Sequence, residues 1–557
     1  MKKKTVKKML CALLTGTMLL AGCGSGGDTG SESAAATVTT ENSETTEAVS
    51  EADGTEAAGA QTSGEGPIVE EKVTYTIACE LSPNWGNPAE GEFWQWLEEE
   101  TNIHIEWITY LETEADEKFK LLMASGDYPD AFIGALGGDD NDVITYGSEG
   151  IYIPLNDLIE QYCPNFNRRV SEGYPDLMKM ITCADGNIYG MPAVLYNPDI
   201  YNNTFINQKW LDAVGAEVPT TTEEFEEVLR LFKENDPNGN GEADEIPMTF
   251  IFSDWGASDH GPYFGAFGYP LSPDYIMIDN KEVKYLGAEE SFKEGAEWLG
   301  SLYAEGLVDR DVFTQDDSSL AAKVSQGTVG VFSSWDKTPA GDYADDYVAL
   351  MPLQGPDGEQ NTLVEGITGL YKGRFMITNK CENPEILMQW VDRFYESMEV
   401  GLNATYGIGP DENKAWYYDD NGDIVFKTGD DLPEEYERGQ QQLPFAPAIL
   451  GDGVEDFLGN EEKNEITAEM KQYAGKFEDG TWERWPSVYM TLEEKDDIAT
   501  TETDLQDYSK NQLAKWIAGE SDVNADWDNY LQELENIGLS HYLEVKQQIY
   551  DRYSSAE

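Results

Sequence analysis

VTYTIACELSPNWGNPAEGEFWQWLEEETNIHIEWI, residues 73–108, is the stretch that decides the fold. Residues 73–80 alternate apolar and polar side chains with the two-residue period of a strand. Residues 92–100 carry Phe93, Trp96 and Leu97 at helical spacing, and 104–108 return as a strand. This is a β-α-β opening.

Downstream, the patterning predicts a helix over 119–124, a turn at Tyr128-Pro129-Asp130, a short strand over 131–134 and a helix over 155–162. Amphipathic helices follow over 221–235, with Thr222 as N-cap, and over 289–305, carrying Phe292, Trp298 and Leu302. Strands are expected over 248–252 and 329–333, and the C-terminal third reads as helical through 504–517 and 526–553. Such alternation predicts an α/β fold with mostly parallel sheets covered by helices. The roughly 485 residues from Lys72 to Glu557 exceed one ordinary core and call for at least two lobes.

Upstream, Lys2, Lys3, Lys4, Lys7 and Lys8 precede an uncharged apolar run over 9–20, the layout of an export signal and too short for a spanning helix. The run ends in Leu20-Ala21-Gly22-Cys23, which resembles a bacterial lipoprotein lipobox. Cleavage after residue 22 leaves Cys23 as the lipidated N-terminus. Two acyl chains, at about 0.8 kcal/mol per buried methylene, anchor stably where one is marginal. An ordinary cleaved signal in which Cys23 merely follows small residues is the alternative. Residues 24–71 hold no Lys, Arg or aromatic residue and read as an acidic tether. The expected location is the extracellular face of a cell membrane, reached by the lipid anchor alone, and the acidic tether suits a Gram-positive bacterium.

The chain carries 107 acidic against 36 basic residues, a net charge of −71, and loses five more lysines with the leader. Such a surface repels nucleic acid and anionic lipid heads, which excludes both as expected partners, and it favours a neutral solute. Cys79, Cys163, Cys183 and Cys381 show no CxxC spacing, so zinc is not expected. Their pairing stays open, with buried free thiols as the default.

Three blocks carry a family resemblance. YNNTFINQKWLDAVGAEVPTTTEEF over 201–225 is similar to the segment of family 1 extracellular solute-binding proteins in which the chain first crosses into the second lobe. EVLRLFKENDPNGNGEADEIP over 227–247 and AKWIAGESDVNADWDNYLQELENIGLSHYLEVKQQIYDRY over 514–553 resemble the subgroup of lipoprotein LplA and the alginate-oligosaccharide-binding proteins. The resemblance implies a periplasmic-binding-protein-like fold of two α/β lobes joined by a hinge, with a ligand cleft between them. It implies a monomer that captures a carbohydrate, an oligosaccharide by preference, and delivers it to the permease subunits of an ABC transporter. The expected division is a signal over 1–22, the lipidated cysteine and tether over 23–71, and the first part of the N-lobe over 72–195. The first part of the C-lobe covers 196–368, and return segments to both lobes and C-terminal helices cover 369–557. The first crossing is expected near 193–197 and a return near 366–375.

Asp236, Asn238 and Asn240 stand at positions 1, 3 and 5 of an EF-hand-like calcium loop over 236–247, with Gly241 at position 6, the Glu242 carbonyl at 7 and Asp244 at 9. Position 12 is Pro247 rather than Glu, and the resemblance implies that Glu245 serves instead. A structural Ca2+ is the expected cofactor; a metal-free Asn-Gly turn is the alternative.

Sugar recognition needs flat apolar faces for the ring and planar polar groups for its hydroxyls. Trp85, Trp255 and Trp335 follow expected strands, and Tyr196 lies at the expected hinge. Asn84, Asp254, Asp336, Glu365 and Arg374 are the candidate hydroxyl contacts, whereas Trp416 and Trp485 read as structural or rim residues. For each aromatic a core or surface role is the competing reading. The alternative function is a secreted carbohydrate-active hydrolase, which needs two carboxylates across a groove. His104, His260 and His541 lie in no recognisable nucleophile or metal motif and read as surface or strand residues, so no catalytic residue is assigned and the chain is read as a non-enzyme.

Overall fold

The computed structural model describes residues 66–81, 87–194, 202–252, 258–364, 369–411, 414–418, 424–426, 443, 445–450 and 461–555. The first strand, Val73–Leu81, pairs in parallel with Ile103–Leu111 on one side and Ala131–Ile133 on the other. Successive residues serve opposite layers: Ile77 and Cys79 pack into one cluster and Ala78 into another, so the strand is apolar on both faces because helices cover both. The connecting helix, Glu92–Thr101, buries Phe93, Trp94 and Leu97. Trp94 takes the core position expected for Trp96, which is 39% exposed. Residues two apart do not share one face of a helix, and Trp94 completes the i, i+3 step to Leu97.

The first sheet runs Ile103–Leu111, Val73–Leu81, Ala131–Ile133, Leu370–Ile377, Met191–Val194. Leu370–Ile377 lies antiparallel to both its neighbours. The second sheet runs Tyr347–Leu350, Asn203–Asn207, Val329–Ser334, Ile246–Thr249, and only its last pair is parallel. Both sheets are therefore mixed, a correction to the expected mostly parallel arrangement. The strands that run against the others, Asn203–Asn207 and Leu370–Ile377, each follow a passage of chain from the other sheet.

Helix Thr222–Glu234 is capped by Thr221, not Thr222: the Thr221 Oγ1 accepts from the Glu224 amide at 3.1 Å, and Thr222 is the first helical residue. Helix Glu290–Glu305 buries Phe292, Trp298 and Leu302 against the second sheet's core. The C-terminal region is three helices, Leu492–Ala518, Val523–Ile537 and Leu539–Ser555; the last two were expected as one, and Gly538 at φ +127° separates them. Their Trp516, Trp527, Tyr530 and Tyr542 join the same second-lobe cluster.

Tyr489, just ahead of these helices, instead packs in the first lobe with Phe132, Tyr152 and Met376. The chain thus touches the first lobe again after residue 480, within the segment expected to return to both lobes.

All four described cysteines are free; Cys79, Cys163 and Cys183 are buried and Cys381 is half-buried. Burial pushes the Cys183 and Cys381 thiols up to about 12, which makes them inert. Among the described residues no helix is long and apolar enough to cross a membrane.

Candidate functional site

The two sheets turn corresponding edges toward the connecting passages. Val194, which ends its strand, lies opposite Leu370, which begins one, and Asn203 lies opposite Ser334. The parallel strands of the first sheet end at Leu81, Leu111 and Ile133, and those of the second at Thr249 and Ser334. Ligands in open α/β sheets bind beyond such carboxyl ends.

Arg374 stands at this edge of the first sheet. Its carbonyl accepts from the Gly134 amide at 2.9 Å, and its Nη1 donates to the Gly134 carbonyl at 3.2 Å. A register shift between Tyr371 and Phe375 re-aims this part of the strand. The guanidinium lies 4.8 Å from the Tyr371 ring centroid and 5.0 Å from that of Phe445, and the two rings are 4.5 Å apart. Phe445 adopts φ +55°, a conformation uncommon for an aromatic residue. The Arg374 Nε is buried without a hydrogen-bond partner, and burial lowers the pKa of the group. Glu80, near the end of Val73–Leu81 and separated from the strand of Arg374 by Ala131–Ile133, feels the Arg374 charge; its own pKa is raised by burial and then by Glu112 and Asp116. Lys372, two residues before Arg374, is buried, with Nζ 2.5 Å from Asp140 and 4.1 Å from the Tyr489 ring centroid.

In the second lobe, Trp335 and Asp336 directly follow Val329–Ser334, and both are half-buried. The Trp335 carbonyl accepts from Asn203 Nδ2 at 3.1 Å, which ties it to the start of the crossing strand. Asp336 Oδ1 accepts from the Thr338 amide at 2.8 Å, so one of its oxygens is committed to a turn. Of the expected ligand contacts, Trp335, Asp336 and Arg374 are therefore at strand edges or in the strand crossing them. Asn84, Trp85, Tyr196, Asp254, Trp255 and Glu365 lie outside the described residues, as does the lipidation position Cys23.

Sequence reasoning missed several polar groups here. Asn202 Nδ2 donates to Asp259 at 2.5 Å, while the Asn202 and Asn203 Oδ1 atoms are buried without partners. His260 was expected at the surface or in a strand. It is fully buried, stacked on Phe252 with centroids 4.7 Å apart and planes at 9°, and both ring nitrogens lack partners. His104 and His541 are surface groups paired with Glu98 and Asp497. Glu80, Tyr371 and Phe445 were missed as well. The strand end at Glu80 was a usable signal; the approach of Phe445 to Tyr371 across 74 residues was not.

The loop after helix Thr222–Glu234 is closed on itself by its own side chains. Asp236 Oδ1 and Oδ2 accept from the amides of Asn240 at 3.1 Å and Gly241 at 2.9 Å. Asn238 and Asn240 side-chain oxygens accept from the amides two residues on. Gly239 and Gly241 take φ +71° and +79°, which allows the tight turn. Asn238 and Asn240 turn their amide nitrogens onto Asp244, at 3.1 and 3.0 Å. Glu245 Oε1 is buried with no partner, and burial raises its pKa, with Asp244 and Asp236 adding to the effect. Among the described residues no three carboxylate, imidazole or thiol groups alone form a metal cluster. The side-chain donors here are instead two amide oxygens and carboxylates, the oxygen-only chemistry of a hard cation, and the orphaned Glu245 oxygen fits it.

This two-lobed α/β architecture belongs with a known family: residues 82–398 match the profile of bacterial extracellular solute-binding proteins, and the chain is a member of that family. One relative is the fructooligosaccharide ABC transporter substrate-binding protein FusA of Streptococcus pneumoniae serotype 4, 32% identical over 519 residues, covering 88% of this chain and 92% of FusA. The structure of S. pneumoniae FusA in complex with kestose superimposes with a TM-score of 0.69 at 30% identity, covering 87% of this chain and 100% of that one. An EF-hand mutant of FusA in complex with fructo-nystose matches with a TM-score of 0.68 at 30% identity, over the same shares of both chains.

Proposed function

We propose that this chain captures a neutral oligosaccharide outside the cell and delivers it, unaltered, to the permease of an ABC importer. The observation that carries the reading is the full-length likeness to FusA, a binding protein for fructooligosaccharides whose kestose complex shares this fold. The two half-buried or buried groups at the strand edges, Arg374 and Trp335, are of the kind that bind sugar: a guanidinium to donate to hydroxyls and an indole for the ring face. Asp336 retains one carboxylate oxygen for a hydroxyl. Asn84, Trp85, Tyr196, Asp254, Trp255 and Glu365 are proposed to complete the cleft. A ligand that touches both lobes only when they close shifts the population toward the closed form, and that shape is what a permease reads.

Cys23 is the proposed lipid attachment and 24–65 the tether, shortened from 24–71 because Ile68 is buried in the first-lobe core and its amide donates to the Thr101 carbonyl, and a monomer on the outer face is proposed to work beside its permease. Asp236, Asn238, Asn240, the Glu242 carbonyl, Asp244 and Glu245 would hold Ca2+, whose charge offsets the clustered carboxylates; its role is structural. Incubation with kestose and fructo-nystose tests the function. A raised melting temperature with no new reducing ends supports capture. Released fructose units would point to hydrolysis, and no shift with any neutral oligosaccharide would remove the proposal.

A further inference from the structure

Arginines in this acid-rich protein are ordinarily matched. Arg230 has Glu226 and Glu305, and Arg552 has Glu494. Arg374 and Arg169 depart from this: among the described residues each guanidinium makes one hydrogen bond, to a carbonyl, no carboxylate pairs with it, and its Nε is sealed from water with nothing to donate to, and Arg374 does so at the carboxyl ends of the parallel strands of the first sheet. Tyr371 and Phe445 flank Arg374 and limit its reorientation. Glu80 is likewise without a hydrogen-bond donor. It is half-buried on the same sheet and accepts no hydrogen bond from a described residue, although Arg374 acts on it electrostatically.

Each group in this state carries an unmet desolvation cost. A guanidinium only donates and an ionised carboxylate only accepts, so whatever satisfies both must itself accept and donate. A hydroxyl does both. A uronic-acid carboxylate would suit Arg374 but oppose Glu80, and an amino sugar's ammonium would suit Glu80 but oppose Arg374. We propose that Arg374 and Glu80 are specificity-determining residues that together read hydroxyls of a neutral saccharide and reject charged rings. This rests on the reading of the cleft as an oligosaccharide site. Tyr371 and Phe445 are positioning residues that hold the fork in plane.

Calorimetric titration of kestose and of a galacturonate trisaccharide into wild type, Arg374→Lys, Arg374→Ala and Glu80→Gln tests the assignment, with circular dichroism to establish folding. The expected results are kestose binding without uronate binding in wild type, and at least a tenfold loss of kestose affinity in both Arg374 variants. Glu80→Gln should lose kestose affinity and gain measurable uronate binding. Folded Arg374→Lys and Glu80→Gln proteins that bind kestose like wild type, or a wild type that binds the uronate equally well, would overturn the pair's role while leaving the functional reading intact. A wild type that binds no saccharide overturns both.

Discussion

Tyr489 sits beneath Lys372, the ammonium 4.1 Å from its ring centroid, although Tyr489 leads into the helices of the second lobe and Lys372 belongs to the first sheet. Tyr489 is buried, and Lys372 Nζ continues to Asp140 at 2.5 Å. The contact pins a third passage between the lobes onto the same strand that carries Arg374.

Truncating that pin should be costly. Tyr489→Ala is expected to lower stability by about 3 to 5 kcal/mol, as for other buried aromatic truncations, and Tyr489→Phe by less than about 1 kcal/mol. Urea melts of the two variants check this, and equal midpoints for Ala and wild type would show the ring to be dispensable.

Trp335→Ala should weaken oligosaccharide binding by about 1 to 3 kcal/mol, the worth of covering an aromatic face. Its carbonyl contact to Asn203 survives the substitution, so the melting temperature should move little. Unaltered calorimetric affinity would take Trp335 out of the site.

Chelation should lower the melting temperature, and added calcium should restore it. Asp236→Ala and Glu245→Gln should each blunt that response, because the first removes the loop's organising carboxylate and the second the orphaned oxygen. Superimposable melts with and without chelator, together with no metal by elemental analysis, would leave a metal-free turn.

His260 predicts an acid sensitivity with a definite sign. Burial lowers its pKa to about 3, with Lys510 adding to the effect, against about 6.5 in an unfolded chain. The stability it contributes is complete above about pH 6.5 and is lost as pH falls through about 3, at about 1.4 kcal/mol per pH unit for one proton. His260→Phe should therefore show a shallower fall in melting temperature between pH 6.5 and 5. Parallel curves for the two proteins would contradict it.

Local periodicity made the opening β-α-β unit legible, because Ile77 and Cys79 alternate with Ala78 between two cores and Phe93 and Leu97 repeat at helical spacing. It could not give strand direction, which depends on where the chain re-enters a sheet, so the expectation of mostly parallel sheets did not foresee the opposed strands Asn203–Asn207 and Leu370–Ile377. Neighbouring choices such as Trp94 over Trp96 and Thr221 over Thr222 were decided by one helical step. Among the candidate site residues, the place of Trp335 directly after a strand was legible from the pattern over 329–333. The Tyr371–Phe445 flank was not, since it arises from a contact distant in sequence, and neither was His260, whose burial depends on Phe250, Phe252 and Phe264 converging on it.

Small-angle scattering of the purified protein, titrated with the neutral oligosaccharide it binds, tests the central claim most directly. Closure of two lobes around the sugar predicts a smaller radius of gyration at saturation, reversed when the intact sugar is dialysed away. Saturated binding with an unchanged scattering profile would contradict it.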